Sequence, residues 1–94
     1  MANLTALVSA DPSRDEQEAL KFQHRIGRNV RYWRMQRAMT PGELACRIGK
    51  PVAAINEIEA GEAMASVEFL WRAGQVLKVS CLVFTDSQQQ RSAA

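Results

Sequence analysis

The fold of this chain is decided by residues 40–61, which read TPGELACRIGKPVAAINEIEAG. Thr40 is a favourable helix N-cap, and Glu43 three residues later completes a capping box, in which the two residues exchange side-chain and backbone hydrogen bonds. Gly49 suits the left-handed conformation that ends many helices. We therefore predict a short helix at residues 41–48.

A second short helix follows directly. Pro51 fits the first turn of a helix, where its missing backbone N–H costs no hydrogen bond. Ile55 and Ile58 recur at helical spacing, and Gly61 ends the segment. We predict this helix at residues 51–60. Two short helices joined by a tight turn that contains glycine form a helix-turn-helix.

Helical patterns also flank this motif. A capping box opens a first helix at Ser13, and its apolar residues at helical spacing are Ala19, Phe22, Ile26, Val30 and Trp33. Ser66 opens a fourth helix, whose expected core residues are Val67, Leu70, Ala73, Gly74 and Leu77. Ser80 caps a short fifth helix. We expect no strand, because no segment alternates apolar and polar residues for long enough.

These elements predict an all-α, compact five-helix domain at residues 13–86. The first helix is expected to run to about residue 38 and the fifth to span residues 81 to about 85. Residues 1–12 are expected to form a flexible N-terminal arm, and the polar residues 87–94 a disordered tail.

Composition excludes several classes of protein. The chain has 94 residues and a net charge of +2, which allows one domain and excludes a strongly basic coat protein of nucleic acid. No apolar run reaches the ~18 residues that a membrane span needs. Cys46 and Cys81 are too few for a disulfide framework, and we expect buried, reduced thiols. The sequence has no catalytic or metal-binding motif, so we expect neither an enzyme nor a cofactor.

The motif resembles the Cro and phage-repressor family, also called XRE. The residues that carry the resemblance are Thr40, Glu43, Leu44, Ala45, Ile48, Gly49, Ile55, Ile58, Glu59 and Gly61. It extends over about residues 22–85 and implies a lambda-repressor-like fold and a role in transcription control. It also implies a cytoplasmic protein of a bacterium or phage. A salt bridge between Arg34 and Glu59, tying the first helix to the third, is a further implication of the resemblance.

The positions that would contact DNA bases are unusual for this family. Its third helix lies in the major groove of DNA, and its N-terminal residues reach base edges. The matching positions here are Val52, Ala53, Asn56 and Glu57, and the candidate phosphate contacts are Arg31 and Lys50. Base contacts are usually made by Arg, Lys, Gln or Asn. Only Asn56 among the four has that chemistry.

The charges near these positions are unfavourable for DNA binding. The family's Gln at the start of the second helix is replaced by Pro41, and Glu62 stands in a loop that is often basic in the family. The expected DNA-facing side has Lys50 as its basic residue and three acidic residues, Glu43, Glu57 and Glu62. Since phosphate neutralisation supplies most non-specific affinity for DNA, this side of the domain is poorly suited to it.

Apolar residues stand where the family has polar ones. They are candidates for binding a protein partner: Met64, Phe69, Trp71, Val76, Leu82 and Val83. A homodimer interface or the N-terminal arm are the other structures that would cover them. Two functions therefore stay open. The favoured one is a protein-binding antiactivator or co-regulator that acts on a transcription factor, and the alternative is a dimeric repressor that reads a palindromic operator.

Overall fold

The computed structural model describes residues 12–87, which form four α-helices and one 3-10 helix. The α-helices are α1 (Pro12–Gln36), α2 (Pro41–Ile48), α3 (Val52–Glu59) and α4 (Val67–Leu77), and the 3-10 helix is Cys81–Thr85. Apart from Pro12 and Ser87, the predicted N-terminal arm and C-terminal tail lie outside the described residues.

The prediction of five helices needs one correction, because the last element is a 3-10 helix. Ser80 does cap it, accepting a hydrogen bond from the Leu82 backbone N–H at 3.2 Å. The element is anchored by Asn29, whose buried side-chain amide donates to the carbonyl oxygens of Phe84 at 2.8 Å and Asp86 at 2.9 Å. A segment of five residues has room for little more than one turn.

Helix α1 ends earlier than predicted and is buried over only part of its length. It stops at Gln36 because Ala38 adopts a left-handed conformation, with φ of 53°. Residues 13–22 are all exposed. The prediction that Ala19 and Phe22 belong to the buried face is therefore wrong, because the body of the domain begins further along the helix, where Ile26 and Val30 enter the core.

The helix-turn-helix forms through local signals. The Glu43 backbone N–H donates to Thr40 Oγ1 at 3.0 Å, and the Thr40 N–H donates to Glu43 Oε1 at 2.8 Å. Gly49 ends α2 with φ of 83°, in the left-handed region that favours glycine. Pro51 is the N-cap of α3 instead of its first residue, so α3 is slightly shorter than predicted.

One core joins all five elements. Helix α1 packs on α3 and on the 3-10 helix, while α2 packs on α3 and α4. The core residues are Ile26, Val30, Leu44, Ala45, Ile48, Ile55, Ile58, Ala65, Phe69, Ala73, Leu77 and Phe84. Cys46 was predicted to be buried and is exposed, because it lies on the side of α2 away from Leu44 and Ile48; Cys81 is half-buried, and both thiols are free.

Helix α4 buries Ala73, Gly74 and Leu77 as predicted, but the prediction was wrong at two positions near its start. Val67, expected in the core, is 84% exposed, whereas Phe69, expected on the surface, is 3% exposed. Phe69, Ala73 and Leu77 follow one another at intervals of four residues and so share one face of the helix. That face packs on α2, which places Val67 and Trp71 on the exposed side.

Candidate functional site

Helix α3 is fixed to α1 by a buried ion pair. Arg34 donates from Nε to Glu59 Oε2 at 2.7 Å and from Nη2 to Glu59 Oε1 at 2.9 Å. Its Nη1 donates to the Met39 carbonyl oxygen at 2.7 Å. The hydrogen bond to Glu59 raises the pKa of Arg34 further above its ordinary value. Since both side chains are about nine-tenths buried, the pair holds α3 in one position relative to α1.

The outward side of α3 carries all four positions predicted to contact DNA bases. Val52, Ala53, Asn56 and Glu57 are exposed, while Ile55 and Ile58 point into the core. No residue of α3 is basic. The outward side can therefore offer one amide, one carboxylate and small apolar groups to whatever it meets.

Two acidic side chains stand at the end of α3, and a third is exposed at the start of α2. The backbone N–H of Glu62 donates to the Glu57 carbonyl oxygen at 2.8 Å, which folds the chain back so that both exposed carboxylates stand at the end of α3. Glu43 is exposed at the start of α2, where hydrogen bonds from Thr40 lower its pKa and Arg47 lowers it further. Glu43 therefore stays ionised to a lower pH than an ordinary glutamate.

A groove of about 220 Å³ lies between α3 and the segment that leads into α4. Its lining residues are Lys50, Ala54, Glu57, Ile58, Ala63, Met64, Ser66 and Phe69. Four of these residues come from two separate predictions, since Lys50 and Glu57 were candidates for binding DNA and Met64 and Phe69 for binding a protein partner. The structure brings them together around one concave surface.

The predicted partner-binding residues divide into two groups. Met64, Trp71 and Leu82 are exposed, at 46%, 57% and 73% of their surface. Phe69 is buried, so its assignment to the surface is wrong: it belongs to the core together with Ala73. Val76 and Val83 are half-buried and pack against the core.

Sequence reasoning missed Val67, the most exposed large apolar side chain in the described part of the chain. It lies one turn before Trp71 on α4, so the two side chains are neighbours on the helix surface. The signal was present in the spacing of Phe69, Ala73 and Leu77, which defines the opposite face of the helix.

The arginines of α1 have different roles. Arg37 lies over the Trp33 ring, 5.1 Å from its centroid, and donates to the Leu77 carbonyl oxygen at 2.7 Å. Arg28 and Arg31 have no ion-pair partner among residues 12–87. They line a second cavity, of about 270 Å³, together with Tyr32 and Met35.

Arg31 and Lys50, the two predicted phosphate contacts, line different cavities. Among residues 12–87, no group of three or more His, Cys, Asp or Glu side chains is placed to hold a metal ion. In the same part of the chain, no helix combines the length and the apolar character needed to cross a membrane.

Comparison with solved structures shows the same fold in three proteins. A chain of the SinR protein/SinI protein complex has a TM-score of 0.65 and 25% identity, over 70% of this chain and 65% of that one. The clp gene regulator ClgR from Corynebacterium glutamicum has a TM-score of 0.65 and 22% identity, over 77% of this chain and 81% of that one. An HTH_3 family transcriptional regulator from Vibrio cholerae has a TM-score of 0.67 and 24% identity, over 79% of this chain and 42% of that one.

The chain thus spans just under two thirds of the SinR–SinI chain and less than half of the Vibrio cholerae protein. No curated protein sequence is significantly similar to it. The HTH_3 family model, described as helix-turn-helix, matches residues 30–84 and confirms the resemblance to XRE proteins. Because this match covers more than half of the chain, the protein belongs to the HTH_3 helix-turn-helix family.

Proposed function

We propose that this protein is a non-enzymatic, cytoplasmic regulator of transcription whose helix-turn-helix binds another protein instead of reading DNA. It would act as an antiactivator or co-regulator on a transcription factor. The observation that supports this best is the outward side of α3, where Val52, Ala53, Asn56 and Glu57 are exposed and none is basic.

The electrostatics of DNA binding explain why this observation matters. Duplex DNA carries one negative charge per ~1.7 Å of its axis, and neutralising those charges supplies non-specific affinity. An α3 that approached DNA would bring Glu57 and Glu62 toward the phosphates, with Lys50 the basic residue nearest the turn. Repulsion at the end of α3 therefore offsets the attraction at its start.

A protein is a better partner than DNA for the exposed side chains of this domain. Exposed apolar side chains such as Met64, Trp71 and Leu82 are typical of surfaces that bind proteins. The SinR–SinI structure is that of a protein complex, which supports a protein partner for a regulator of this fold. A second copy of the chain is a further candidate for covering this apolar surface.

The second candidate function is a dimeric repressor that reads a palindromic operator. It is favoured by membership of the HTH_3 family and by Arg28 and Arg31, which have no ion-pair partner among residues 12–87. In this alternative the base contacts come from Val52, Ala53, Asn56 and Glu57, and the phosphate contacts from Arg31 and Lys50.

The test is retention of DNA. The purified full chain is incubated with sheared genomic DNA at near-physiological salt, and the retained DNA is sequenced. We expect no enriched site from a protein whose circular dichroism shows it to be folded. Enrichment of one palindromic site would overturn the proposal, and half-sites about one helical turn apart would then indicate a dimer.

A variant with restored DNA-binding chemistry serves as the positive control. Val52→Gln, Ala53→Gln, Glu57→Gln and Glu62→Lys supply polar groups for bases and remove both carboxylates at the end of α3. This variant should bind duplex DNA more tightly than the natural chain, with a steeper dependence on salt. Reversing charge with Arg31→Glu and Lys50→Glu should leave the weak DNA binding of the natural chain unchanged.

A further inference from the structure

The groove between α3 and the segment 60–66 combines an apolar floor with a charged rim. Ala54, Ile58, Ala63 and Phe69 form the apolar part of its lining. Met64, 46% exposed, lies at the open edge. A methionine side chain is flexible and polarisable, so it adapts to different apolar partners. These properties suit the insertion of an apolar side chain from another molecule.

The size of the groove limits its occupant. Its volume of about 220 Å³ is below the ~300–1,000 Å³ that is typical of pockets for small-molecule ligands. It is also open at the surface, since Lys50 and Glu57 on its rim are exposed. The small volume and the open shape fit one large apolar side chain of a longer segment. They fit a small molecule that must be enclosed on all sides less well.

The charges on the rim indicate what flanks that side chain. Glu57 is in the last turn of α3, and Glu62 folds back to the same end through its backbone hydrogen bond. The end of α3 has no basic residue in its last turn, and the helix dipole adds partial negative charge there. Lys50 lies two residues before the start of α3, so it stands at the opposite end of the groove from Glu57 in the last turn.

We propose that this groove binds a basic segment of a protein partner, with one large apolar side chain inserted over Ala54 and Phe69. Lysine or arginine side chains of the segment contact Glu57 and Glu62, while Lys50 donates to a carboxylate or carbonyl oxygen of the segment at the opposite end. The inference rests on the proposed function and specifies its partner. A basic, partly apolar segment is also the chemistry of protein surfaces that bind DNA, so the partner can be the DNA-binding element of another regulator.

The cavity on α1 should prefer a segment of the opposite charge to the one that the groove prefers. Arg28 and Arg31 there would select an acidic segment. The sign of the charge on the bound segment therefore distinguishes the two surfaces in one experiment.

The experiment is a selection of random short peptides, displayed on phage, for binding to the immobilised full chain. We expect enrichment of peptides that carry a large apolar residue close to two or more Lys or Arg residues. An enriched peptide is then synthesised, and its dissociation constant is measured by fluorescence anisotropy at several salt concentrations. Binding should weaken as salt rises, because the contacts with Glu57 and Glu62 lie at an exposed rim.

Matched variants locate the binding surface. Glu57→Lys with Glu62→Lys should weaken binding of the peptide about tenfold or more, because the basic side chains of the peptide then face like charges. Asp15→Lys with Glu16→Lys changes the net charge equally on an exposed part of α1 and should have little effect. Met64→Ala should weaken binding several-fold, whereas Met35→Ala, which removes an exposed methionine of the α1 cavity, should not.

The possible failures can be told apart. Enrichment of acidic peptides, or equal losses for the two charge-reversed pairs, would overturn the groove proposal and leave the proposed function intact. Failure to enrich any peptide would also overturn it. If, in addition, the natural chain retains one palindromic DNA site, the proposed function fails as well.

Discussion

The two sides of α3 differ in how closely they follow their family. The inward side presents Ile55 and Ile58 to the core, and Glu59 to the buried guanidinium of Arg34. The outward side presents Val52, Ala53, Asn56 and Glu57, of which only Asn56 has a side chain that usually contacts bases. The inward side supports the helix-turn-helix fold, and the outward side is the surface to which we assign binding under the proposed function. The proposed function therefore makes a testable distinction between the two sides of one helix of eight residues.

The largest expected loss of stability comes from breaking the ion pair on the inward side of α3. Glu59→Ala leaves Arg34 buried without its bidentate partner, so the free energy of unfolding should fall by about 3–5 kcal/mol. Arg34→Met should have a similar effect and also leaves the Met39 carbonyl oxygen without its donor. Urea unfolding followed by circular dichroism measures both.

A double variant and an exposed pair serve as controls for this prediction. Arg34→Met with Glu59→Leu should be less destabilising than the two single changes added together, because neither buried charge then remains unpaired. Glu68→Ala breaks the exposed pair of Glu68 with Arg72, at 3.1 Å, and should cost less than about 1 kcal/mol. Equal costs for the buried and exposed pairs would contradict the role assigned to Glu59.

The next effect concerns the place where α1 crosses α3. A Cβ at Gly27 would overlap the Ile58 carbonyl oxygen, which is backbone and cannot rotate away. Gly27→Ala should therefore lower the free energy of unfolding by about 1–3 kcal/mol, although alanine favours helix. Gly42→Ala in α2 is the matched control: a Cβ there meets nothing nearer than Thr40 Oγ1 at 3.9 Å, so this change should stabilise by about 0.5–1 kcal/mol.

Local signals in the sequence were sufficient to predict the helix-turn-helix. The capping box of Thr40 and Glu43 and the left-handed Gly49 act within a few residues, so the sequence contains all that they need. Val67 and Phe69 at the start of α4 were misassigned because apolar residues lie on both sides of the helix, Val67 and Trp71 on one and Phe69 on the other. Only packing against α2 decides between them.

The candidate site was less predictable for a related reason. The pair of Arg34 and Glu59 followed from the resemblance alone, because nothing in the spacing of the two residues indicates a contact. The groove combines α3, the segment after it and the start of α4, so its lining residues come together only in the folded chain. Exposed Cys46 shows the same limit, since a residue type alone does not establish burial.

Substitutions on the outward side should barely change stability. Val52→Gln and Ala53→Gln replace exposed side chains that have no part in the core, so the free energy of unfolding should change by less than about 0.5 kcal/mol. The urea midpoint and the slope of the transition are the measurements. A loss of several kcal/mol would show that the outward side supports the fold, and the contrast between the two sides of α3 would then disappear.

The smallest expected effect is a pH-dependent change in stability at Glu43. This residue is exposed, yet it has a structural role in the capping box of α2. Hydrogen bonds from Thr40 lower the pKa of Glu43 below its ordinary value of 4.5, so the unfolded chain binds its proton more readily than the folded one. The stability that Glu43 supplies is therefore complete above pH 4.5 and is lost as the pH falls toward the lowered pKa. Glu43→Gln keeps a capping side chain but cannot titrate, whereas Glu43→Ala loses the cap at every pH. Urea midpoints of the natural chain and Glu43→Gln should differ less at pH 3 than at pH 6, and a constant difference between them would show that the carboxylate is not what α2 requires.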